Sequence, residues 1–561
     1  MEKSDLNPRL DWPALKLELE ELTEQELTEE SIDGWLRRWT ELAYQLIEYA
    51  TLVHLATMVD TRDTEAQERY RQYIDTIDPQ AKELDQRLKQ VLLDSGIVPE
   101  GMEVPLRQMR GEAELYREEN LPLQAKLAKL GMEYNEICGN WSVEWEGQQL
   151  PIAALRRFVE NNDRIVREKA WRMGADRMKE DRARLSEIWQ EMLELRLQVA
   201  ENAGFDSFTD YTWQSWGRHD YSPQDAKTFQ QAVLSVVTPA LSRQLSRRSD
   251  SLGVDSLRPW DLTCDSEGRA PLQPFADAAE LENRTGEVYK RLDERLGNWV
   301  SEMSRDRLFD LANRDGKAPG GFMTVLPQRW QPFIFMNAVG MSADVRVMLH
   351  ECGHAFHVYQ TGELPYMQQR DVPMEFSEVA SMAMELLAAP YLTADNGGFY
   401  SAEDHARDHT SQLEYIIFTW VMIAIGDALQ HWIYANPEQA KDAANVSAKY
   451  LELFRQYYPD VDTTGIEDEI AWNWQRVLHF FLYPFYYIDY GLAQLGAVQI
   501  WANSLEDEKQ AVTQYLSGLA LGGTATLPQL FETAGARFGF DEAIFGNAVE
   551  LIEGRLAEMA G

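Results

Sequence analysis

Cysteine is scarce in this chain, which excludes a small protein held together by disulfides. The three cysteines, Cys138, Cys264 and Cys352, are an odd and widely spaced set, and such a set does not build a disulfide framework. A reducing compartment accounts for it most simply. The opening segment, "MEKSDLNPRLDW", lacks the apolar stretch of a secretory signal. We therefore expect a cytoplasmic protein.

Basic residues and long apolar runs are also in short supply. Lys and Arg number 53 against 92 Asp and Glu, which gives a net charge of −39. A surface this acidic repels phosphate backbones and anionic lipids, so we expect no nucleic acid and no membrane as partner. The longest apolar run, "IIFTWVMIAIG", ends at Asp427; it is too short to span a bilayer and is typical of a buried core helix. The sequence leaves the oligomeric state open and is compatible with a monomer.

Helical periodicity fills most of the chain. Residues up to about 125, and residues from Ser342 to the C-terminus, alternate apolar and charged positions at helical spacing. Near residue 140, "WSVEWEGQQL" predicts a small hairpin, and one long charged helix is predicted over about 155–204, before a Pro- and Gly-rich connection at about 250–275. Two strand candidates, "GGFMTVLP" and "PFIFMNAVG", come just before Ser342. The sequence therefore predicts a mainly α protein with a small β element.

The segment "VMLHECGHAF" places two histidines four residues apart, with a glutamate directly after the first. In a helix, His350 and His354 lie one turn apart on one face and can bind a single ion, as a tetrahedral zinc site requires. Glu351 lies about 100° around the helix, poorly placed as a third ligand but within reach of a metal-bound water. Gly353 weakens a helix, which indicates a close neighbour there, and His357 is expected to support the site rather than bind the ion. A buried helix with hydrogen-bonded histidines is the alternative interpretation.

A catalytic zinc needs a third protein ligand, because such sites use three and keep one position for water. The downstream segment "PMEFSEVASMAMELLAAP" predicts a helix that opens at Pro373. Its candidate ligands are Glu375, Glu378 and Glu385. Glu378 and Glu385 are seven residues apart and share one face, so we expect Glu378 to bind the ion and Glu385 to orient a histidine. Spacing alone does not decide among the three.

Together, "HECGHAFH" and "SEVASMAMELL" resemble the motifs of the thimet oligopeptidase and oligoendopeptidase F family of zinc peptidases. The upstream segments "GKAPGGF" and "FIFMNAVG" are similar to those that precede the zinc helix in that family. The resemblance implies a large helical ellipsoid with a deep central channel that admits short peptides, and a small β element near the zinc helix. It implies one zinc ion per chain, bound by His350, His354 and Glu378. It also implies a general base at Glu351 and a supporting carboxylate at Glu385.

The segment "HFFLYPFYYIDYGLAQLG" carries a third group of candidate residues. Tyr483, Tyr487 and Tyr490 follow His479 at helical spacing, although Pro484 indicates a loop that leads into a helix. Tyrosine and histidine can donate hydrogen bonds to the oxyanion of a tetrahedral intermediate, and the resembled family uses such a segment for this purpose and for gripping substrate. Ordinary core packing is the alternative, and the sequence does not decide which tyrosine faces the zinc.

The combined prediction is a zinc-dependent endopeptidase that hydrolyses short unstructured peptides. It places a helical N-terminal lobe at 1–150 and the catalytic region at 151–561. A metallocarboxypeptidase or dipeptidase on a similar scaffold is the first alternative; it would need a cation for the substrate's C-terminal carboxylate, and the sequence offers Arg329, Arg346, Arg370 and Arg476. A peptide-binding protein without catalytic activity, or a helical scaffold that retains zinc, is the more remote alternative.

Overall fold

The computed structural model of the protein describes residues 6–560. Helices account for most of these residues, so the predicted fold class, mainly α, is confirmed. The helices are α1 Trp12–Thr23, α2 Ile32–Val59, α3 Thr64–Gln72, α4 Asp78–Ser95, α5 Glu103–Leu115, α6 Leu121–Gly139, α7 Arg156–Val159, α8 Arg164–Glu180, α9 Arg182–Asn202, α10 Phe208–Ser215, α11 Pro223–Ala232, α12 Thr238–Leu252, α13 Ala278–Leu292, α14 Glu294–Arg305, α15 Ser342–Gln360, α16 Met374–Leu387, α17 Ala402–Ala435, α18 Pro437–Ala440, α19 Ala443–Tyr457, α20 Glu467–Ala471, α21 Leu478–Leu482, α22 Tyr487–Ala520, α23 Leu527–Thr533 and α24 Glu542–Ala560. The strands are β1 Ser142–Trp145, β2 Gln148–Pro151, β3 Phe309–Ala312, β4 Phe322–Leu326 and β5 Gln331–Ala338.

The chain forms two compact units, each assembled from three stretches of sequence. The first unit comprises the chain up to Ala113 together with Leu272–His409 and Ala493–Phe538. The second comprises Glu114–Pro271, Thr410–Leu492 and the chain from Gly539 onward. The boundary expected near residue 150 divides the chain differently, into an N-terminal lobe and a catalytic region, and it stays a prediction.

Amphipathic helices form an apolar cluster in the first unit. Helices α1, α2, α4 and α5 each bury apolar side chains at three- and four-residue intervals, and these side chains pack together. Trp35 and Trp39, one turn apart on α2, meet edge to face with ring centroids 5.2 Å apart. Buried aromatic pairs add to the stability gained from burial alone, so this cluster anchors the first stretch of the unit.

The three-stranded sheet of the first unit leads the chain into α15. Its order is β3-β5-β4, with β5 parallel to β3 and antiparallel to β4. The central strand β5 is apolar at consecutive positions, and Ile334 and Phe335 are fully buried, as expected for a strand covered on both faces. The chain then passes through Gly340, whose φ of 95° favours glycine. The sequence predicts β4 and β5, whereas β3, "FDLA", is too short to show a pattern.

The hairpin of the second unit forms where the sequence predicts it. Strands β1 and β2 pair antiparallel. They are joined by Glu146 and Gly147, whose φ values of 51° and 82° are both positive. A two-residue turn of the I′ type requires this backbone conformation, and Gly147 adopts it without strain.

The single helix predicted over about 155–204 is wrong, because α7, α8 and α9 share that range. Asp163 begins α8 by accepting a hydrogen bond from the backbone N–H of Ile165. Asp181 lies between α8 and α9 and accepts hydrogen bonds from the Trp141 indole and the Arg177 guanidinium, at 3.0 and 2.6 Å. Asp163 thus caps α8 in the usual manner of an aspartate, whereas the Asp181 carboxylate bonds two other side chains. Charge periodicity alone reveals neither contact.

The apolar run that ends at Asp427 lies in α17. By length and composition α17 could cross a membrane, but 72% of its most apolar stretch is buried inside the protein. Ile417, Trp420 and Val421 have essentially no exposed surface. The burial agrees with the predicted core helix.

Candidate metal centre and aromatic cluster

Helix α15 carries the two histidines, and its N-terminal half is held by side-chain contacts within the first unit. Asp344, in the first turn, accepts hydrogen bonds from the backbone N–H groups of Val339 and Met341, at 2.8 and 2.9 Å. A carboxylate at this end also complements the helix dipole. The Tyr289 hydroxyl donates to the carbonyl of Leu349 at 2.9 Å. These contacts fix the helix just before His350.

Helices α15 and α16 approach each other closely at Gly353, as the sequence predicts. A Cβ atom added there would lie 2.5 Å from the carbonyl oxygen of Ala380 and 2.6 Å from the Cα of Ser381, both backbone atoms of α16. The same carbonyl of Ala380 accepts a hydrogen bond of 2.8 Å from the buried Tyr515 hydroxyl. Glycine is therefore required at this crossing, and the crossing brings the histidines of α15 beside the glutamates of α16.

Three of the predicted ligands converge between these two helices. The ligand atoms of His350, His354 and Glu378 all lie within 4.8 Å of one another. The Oε2 atom of Glu378 is 3.4 Å from Nε2 of His350 and 3.8 Å from Nε2 of His354. Two imidazole nitrogens and one carboxylate oxygen form a donor set known from catalytic zinc sites. The residues present therefore fit a zinc ion.

Glu385 contacts the first histidine. Its Oε1 lies 2.8 Å from Nδ1 of His350, which leaves Nε2 of the same ring directed at Glu378. Carboxylates commonly hold metal-binding imidazoles in this way. Burial lowers the pKa of His350, but its contacts with Glu378 and Glu385 outweigh burial and hold that pKa well above its usual value. Ser381 supports the ligand side by donating a hydrogen bond of 3.1 Å to Oε2 of Glu378.

Glu351 is the remaining carboxylate of α15 and is only 7% exposed. Burial raises its pKa to about 7, and the nearby charge of Glu378 adds to the rise, while His350 opposes it. A backbone hydrogen bond from Met323 of β4 contacts this carboxylate. A carboxyl group with a pKa near neutrality suits a general base that must later act as an acid.

His357 and Cys352 are buried residues of α15. The ring of His357 packs against Phe376 at a centroid distance of 6.0 Å. Burial lowers its pKa to about 3, and the neighbouring His354 lowers it further. Cys352 is fully buried, and burial raises the pKa of its thiol. Neither residue joins the candidate metal cluster among the residues the structure describes.

The predicted histidine and tyrosines form an aromatic cluster within the second unit. The proline-containing break falls where expected: α21 ends at Leu482 and α22 starts at Tyr487, with Phe485 between them at a φ of 64°. The His479 ring centroid lies 4.4 Å from that of Tyr487 and 6.2 to 6.3 Å from those of Tyr490 and Tyr483.

Tyr486 joins the same cluster, although the sequence leaves its direction open. Its ring stacks on His479 at 5.8 Å and also contacts Trp216 at 5.4 Å. Tyr483 is the most solvent-exposed tyrosine of the group, at 48%. The cluster therefore contains four tyrosines around one histidine, and burial lowers the pKa of His479 to about 4, so its ring is neutral near pH 7.

Several positioning residues carry no sequence signal. Arg196, which is buried, donates a 2.9 Å hydrogen bond to the carbonyl of Phe480 and bonds that of Phe481, fixing α21. Tyr289 and Tyr515 hold α15 and α16 in the first unit. Each lies at least 60 residues from its partner along the chain. Local periodicity does not report contacts of this range.

Two family models match the chain. The one described as Peptidase family M3 covers residues 157–548, and the one described as Peptidase M3 N-terminal domain covers residues 7–114. The first match alone spans more than half of the chain. The chain therefore belongs to peptidase family M3.

Curated relatives are about a fifth identical to this chain over the aligned residues. An oligoendopeptidase F homolog from Borreliella burgdorferi is 21% identical over 417 residues, which cover 71% of this chain and 65% of the relative. The chromosomal oligoendopeptidase F of Lactococcus lactis subsp. cremoris is 22% identical over 322 residues, which cover 57% and 52%. The matched stretch is less than two thirds of the length of either relative.

Solved structures resemble the chain over nearly its whole length. PZ peptidase A, solved with an inhibitor, has a TM-score of 0.88 at 26% identity and covers 98% of both chains. A structure assigned to oligoendopeptidase F has the same score and identity and covers 99% of this chain and 98% of that one. Oligoendopeptidase F from Enterococcus faecium, at a TM-score of 0.63 and 18% identity over 98% of both chains, shares the fold. The family resemblance seen in the motifs is confirmed.

Proposed function

We propose that the protein is a zinc-dependent endopeptidase that hydrolyses short unstructured peptides. The observation that carries the proposal is the convergence of His350, His354 and Glu378 within 4.8 Å, beside the buried carboxylate of Glu351. Nitrogen and carboxylate donors favour zinc among the common divalent ions, although other first-row metals can bind the same set. Membership of family M3 supports a peptidase activity.

The proposed mechanism assigns a proton transfer to Glu351. A zinc ion bound by the three ligands supplies Lewis-acid polarisation of the scissile carbonyl and lowers the pKa of water to about 7. Glu351 takes the proton of the attacking water and then delivers it to the leaving amine. Its raised pKa, about 7, suits both steps because the proton is held and released near neutral pH. Glu385 keeps the ring of His350 oriented throughout.

We assign the aromatic cluster to the substrate. His479 and the tyrosines Tyr483, Tyr487 and Tyr490 offer N–H and O–H donors, and preorganised donors stabilise the oxyanion that develops during amide hydrolysis. Tyr487 is the ring closest to His479, so these two are the first candidates for that role. The remaining tyrosines would grip the peptide.

The proposal has two further parts, the size of the substrate and the location of the protein. The names of the relatives, oligoendopeptidase F, favour short peptides over folded proteins as substrates. The three cysteines are free, which agrees with a reducing, cytoplasmic location. We propose both together with the activity.

Metal analysis combined with peptide cleavage tests the proposal. The purified protein should contain about one zinc per chain and should cut peptides of an 8- to 15-residue library while leaving a folded protein intact. Glu351→Gln should keep the zinc and lose nearly all turnover, because the base is removed while the ligands remain. Near-normal cleavage by this variant would overturn the mechanism.

Blocked peptides separate the alternatives. An N-acetylated, C-amidated peptide has no free terminus, so an endopeptidase cuts it and a carboxypeptidase or dipeptidase does not. Zinc content without cleavage of any library member would instead identify a peptide-binding protein. Mass spectrometry of the products reads out all three outcomes.

A further inference from the structure

The structure separates the four arginines that could capture a substrate carboxylate. Arg329 pairs with the Oε1 of Glu48 at 3.3 Å, and Arg346 lies 3.7 Å from the carboxylate of Asp408. Arg370 is engaged differently, through hydrogen bonds to backbone carbonyls and through stacking over an aromatic ring at 4.0 Å. These three guanidinium groups are committed to the protein itself. Each would have to give up an internal contact to bind a ligand.

Arg476 differs from the other three. Its side chain is exposed, and among the described residues 6–560 no carboxylate lies within 4.0 Å of it and no acceptor bonds it. It comes three residues before His479, in the short turn Asn473–Arg476 that leads into α21. Burial raises the pKa of Tyr450 and Tyr487, and the positive charge of Arg476 partly offsets this effect at both phenols. The charge of Arg476 therefore acts on Tyr487 of the aromatic cluster, which belongs to the same unit.

Arg476 is one of the residues that line a small cavity of the second unit. Trp141, Trp472 and Arg476 line it, together with Lys179, Arg182 and Glu469. Lys179 and Arg182 share the carboxylate of Asp468, each at 2.9 Å, so their charges are compensated.

The charge of Arg476 is not compensated in the same way. Glu469 is the single acidic residue among the cavity-lining side chains, and no ion pair within 4.0 Å joins it to Arg476 in the part of the chain that the structure describes. The cavity thus presents a cation that is free to bind an anion. The planar fork of a guanidinium matches the geometry of a carboxylate.

We infer that Arg476 binds a carboxylate of the peptide substrate, next to the cluster around His479. This inference rests on the proposed peptidase function and names the substrate group that the second unit recognises. The carboxylate is either the C-terminus of a short peptide or an Asp or Glu side chain within it. Guanidinium and carboxylate form two parallel hydrogen bonds, which fixes the peptide's direction as well as its affinity.

The overall charge of the protein opposes the binding of acidic peptides. At a net charge of −39, the surface repels anionic ligands at long range. A single uncompensated cation beside the aromatic cluster gives a local exception to that repulsion. Neutral and cationic peptides need no such contact, so the effect of Arg476 should depend on the charge of the peptide.

Peptide binding to catalytically inactive protein tests the inference without requiring turnover. In a Glu351→Gln background, fluorescence anisotropy measures the Kd of four N-terminally labelled peptides of one neutral sequence. The reference ends in an amide and carries Gln; the others carry a free C-terminus, an internal Glu, or both. We expect each carboxylate to tighten binding by roughly tenfold, the effect of one charge-assisted contact.

Replacing the arginine should abolish this discrimination. Arg476→Gln should bind the carboxylate-bearing peptides and the amide reference with nearly the same Kd, so that the ratio of these two Kd values approaches one. Arg476→Lys keeps the charge and should restore part of the difference between them. Arg110→Gln is the matched control: Arg110 is exposed on α5 and has no ion pair among residues 6–560, so it removes the same charge far along the sequence. One peptide should lose its tighter binding in Arg476→Gln, either the one with the free C-terminus or the one with the internal Glu. That peptide identifies the source of the carboxylate.

The outcomes separate this inference from the proposed function. The inference is overturned if the wild-type protein binds carboxylate-bearing peptides and the amide reference with the same Kd, even though neutral peptides are still cut. It is also overturned if Arg110→Gln reduces the difference between these Kd values as much as Arg476→Gln does. If no peptide is cut but the ratio depends on Arg476, the carboxylate site stands and the peptidase proposal fails. With active enzyme, Arg476→Gln should raise KM for the acidic peptide more than it changes kcat, since the contact forms before the reaction.

Discussion

Gly353→Ala is the smallest change that should disable the candidate metal centre without touching a ligand. The added methyl carbon would lie 2.5 Å from the carbonyl oxygen of Ala380 and 2.6 Å from the Cα of Ser381. Both are backbone atoms, so no side-chain rotation relieves the contact. Ordinary van der Waals separation begins near 3.4 Å. The two helices must therefore move apart by about 1 Å.

That displacement acts directly on the ligands, because His350 and His354 move with α15 and Glu378 moves with α16. Metal–ligand distances tolerate only about 0.2 Å. We expect zinc affinity to fall by roughly a hundredfold and turnover to fall at least as much. The overpacking should also lower the free energy of unfolding by about 1–3 kcal/mol.

Competition with a chromophoric chelator measures the zinc affinity, and thermal unfolding followed by circular dichroism measures the stability. Gly34→Ala is the control, because Gly34 lies in α2 of the same unit with nothing within 4 Å of its Cβ position; alanine there should favour the helix by about 1 kcal/mol. A folded Gly353→Ala protein with wild-type zinc affinity would refute the reasoning from close approach.

Two other substitutions test the surroundings of the site and of the second unit. Glu385→Gln should weaken zinc binding about 10- to 100-fold, because His350 loses the carboxylate on its Nδ1; unchanged affinity in the chelator assay would rule this out. Asp261→Asn should lower the free energy of unfolding by about 3–5 kcal/mol at neutral pH, since Arg164 and Arg167 are left without their buried carboxylate. Burial raises the pKa of Asp261, but the arginine hydrogen bonds outweigh it and the pKa lies below 3.8. The carboxylate's stabilisation is therefore complete above that value and is lost as the pH falls through the folded-state pKa, so urea titrations of the two proteins should converge in acid and differ at neutrality.

The grouping of His350, His354 and Glu378 is the part of the candidate site that the sequence predicts best. His350 and His354 are fixed relative to each other by helix geometry alone, and the three-ligand rule for catalytic zinc then requires a partner such as Glu378. The central strand β5 is also predictable, since its buried stretch from Pro332 to Met336 is apolar at consecutive positions. In each case a local pattern carries the information.

Other features depend on contacts between distant residues, and the sequence does not predict them. The break between α8 and α9 arises where Asp181 bonds Trp141, 40 residues away. The orientation of Tyr486 depends on Trp216. Likewise, the commitment of Arg329 to Glu48 removes a carboxylate-binding candidate that the sequence leaves open. Such pairings are set by tertiary packing, which periodicity and spacing do not encode.

The hydroxyl of Tyr515 on the carbonyl of Ala380 has a consequence for synthesis on the ribosome. The helix that carries Glu378 is translated first, and this support emerges 135 residues later. A nascent chain therefore holds His350, His354 and Glu378 before the hydrogen bond that supports α16 can form. A fragment that ended before Tyr515 would lack this support.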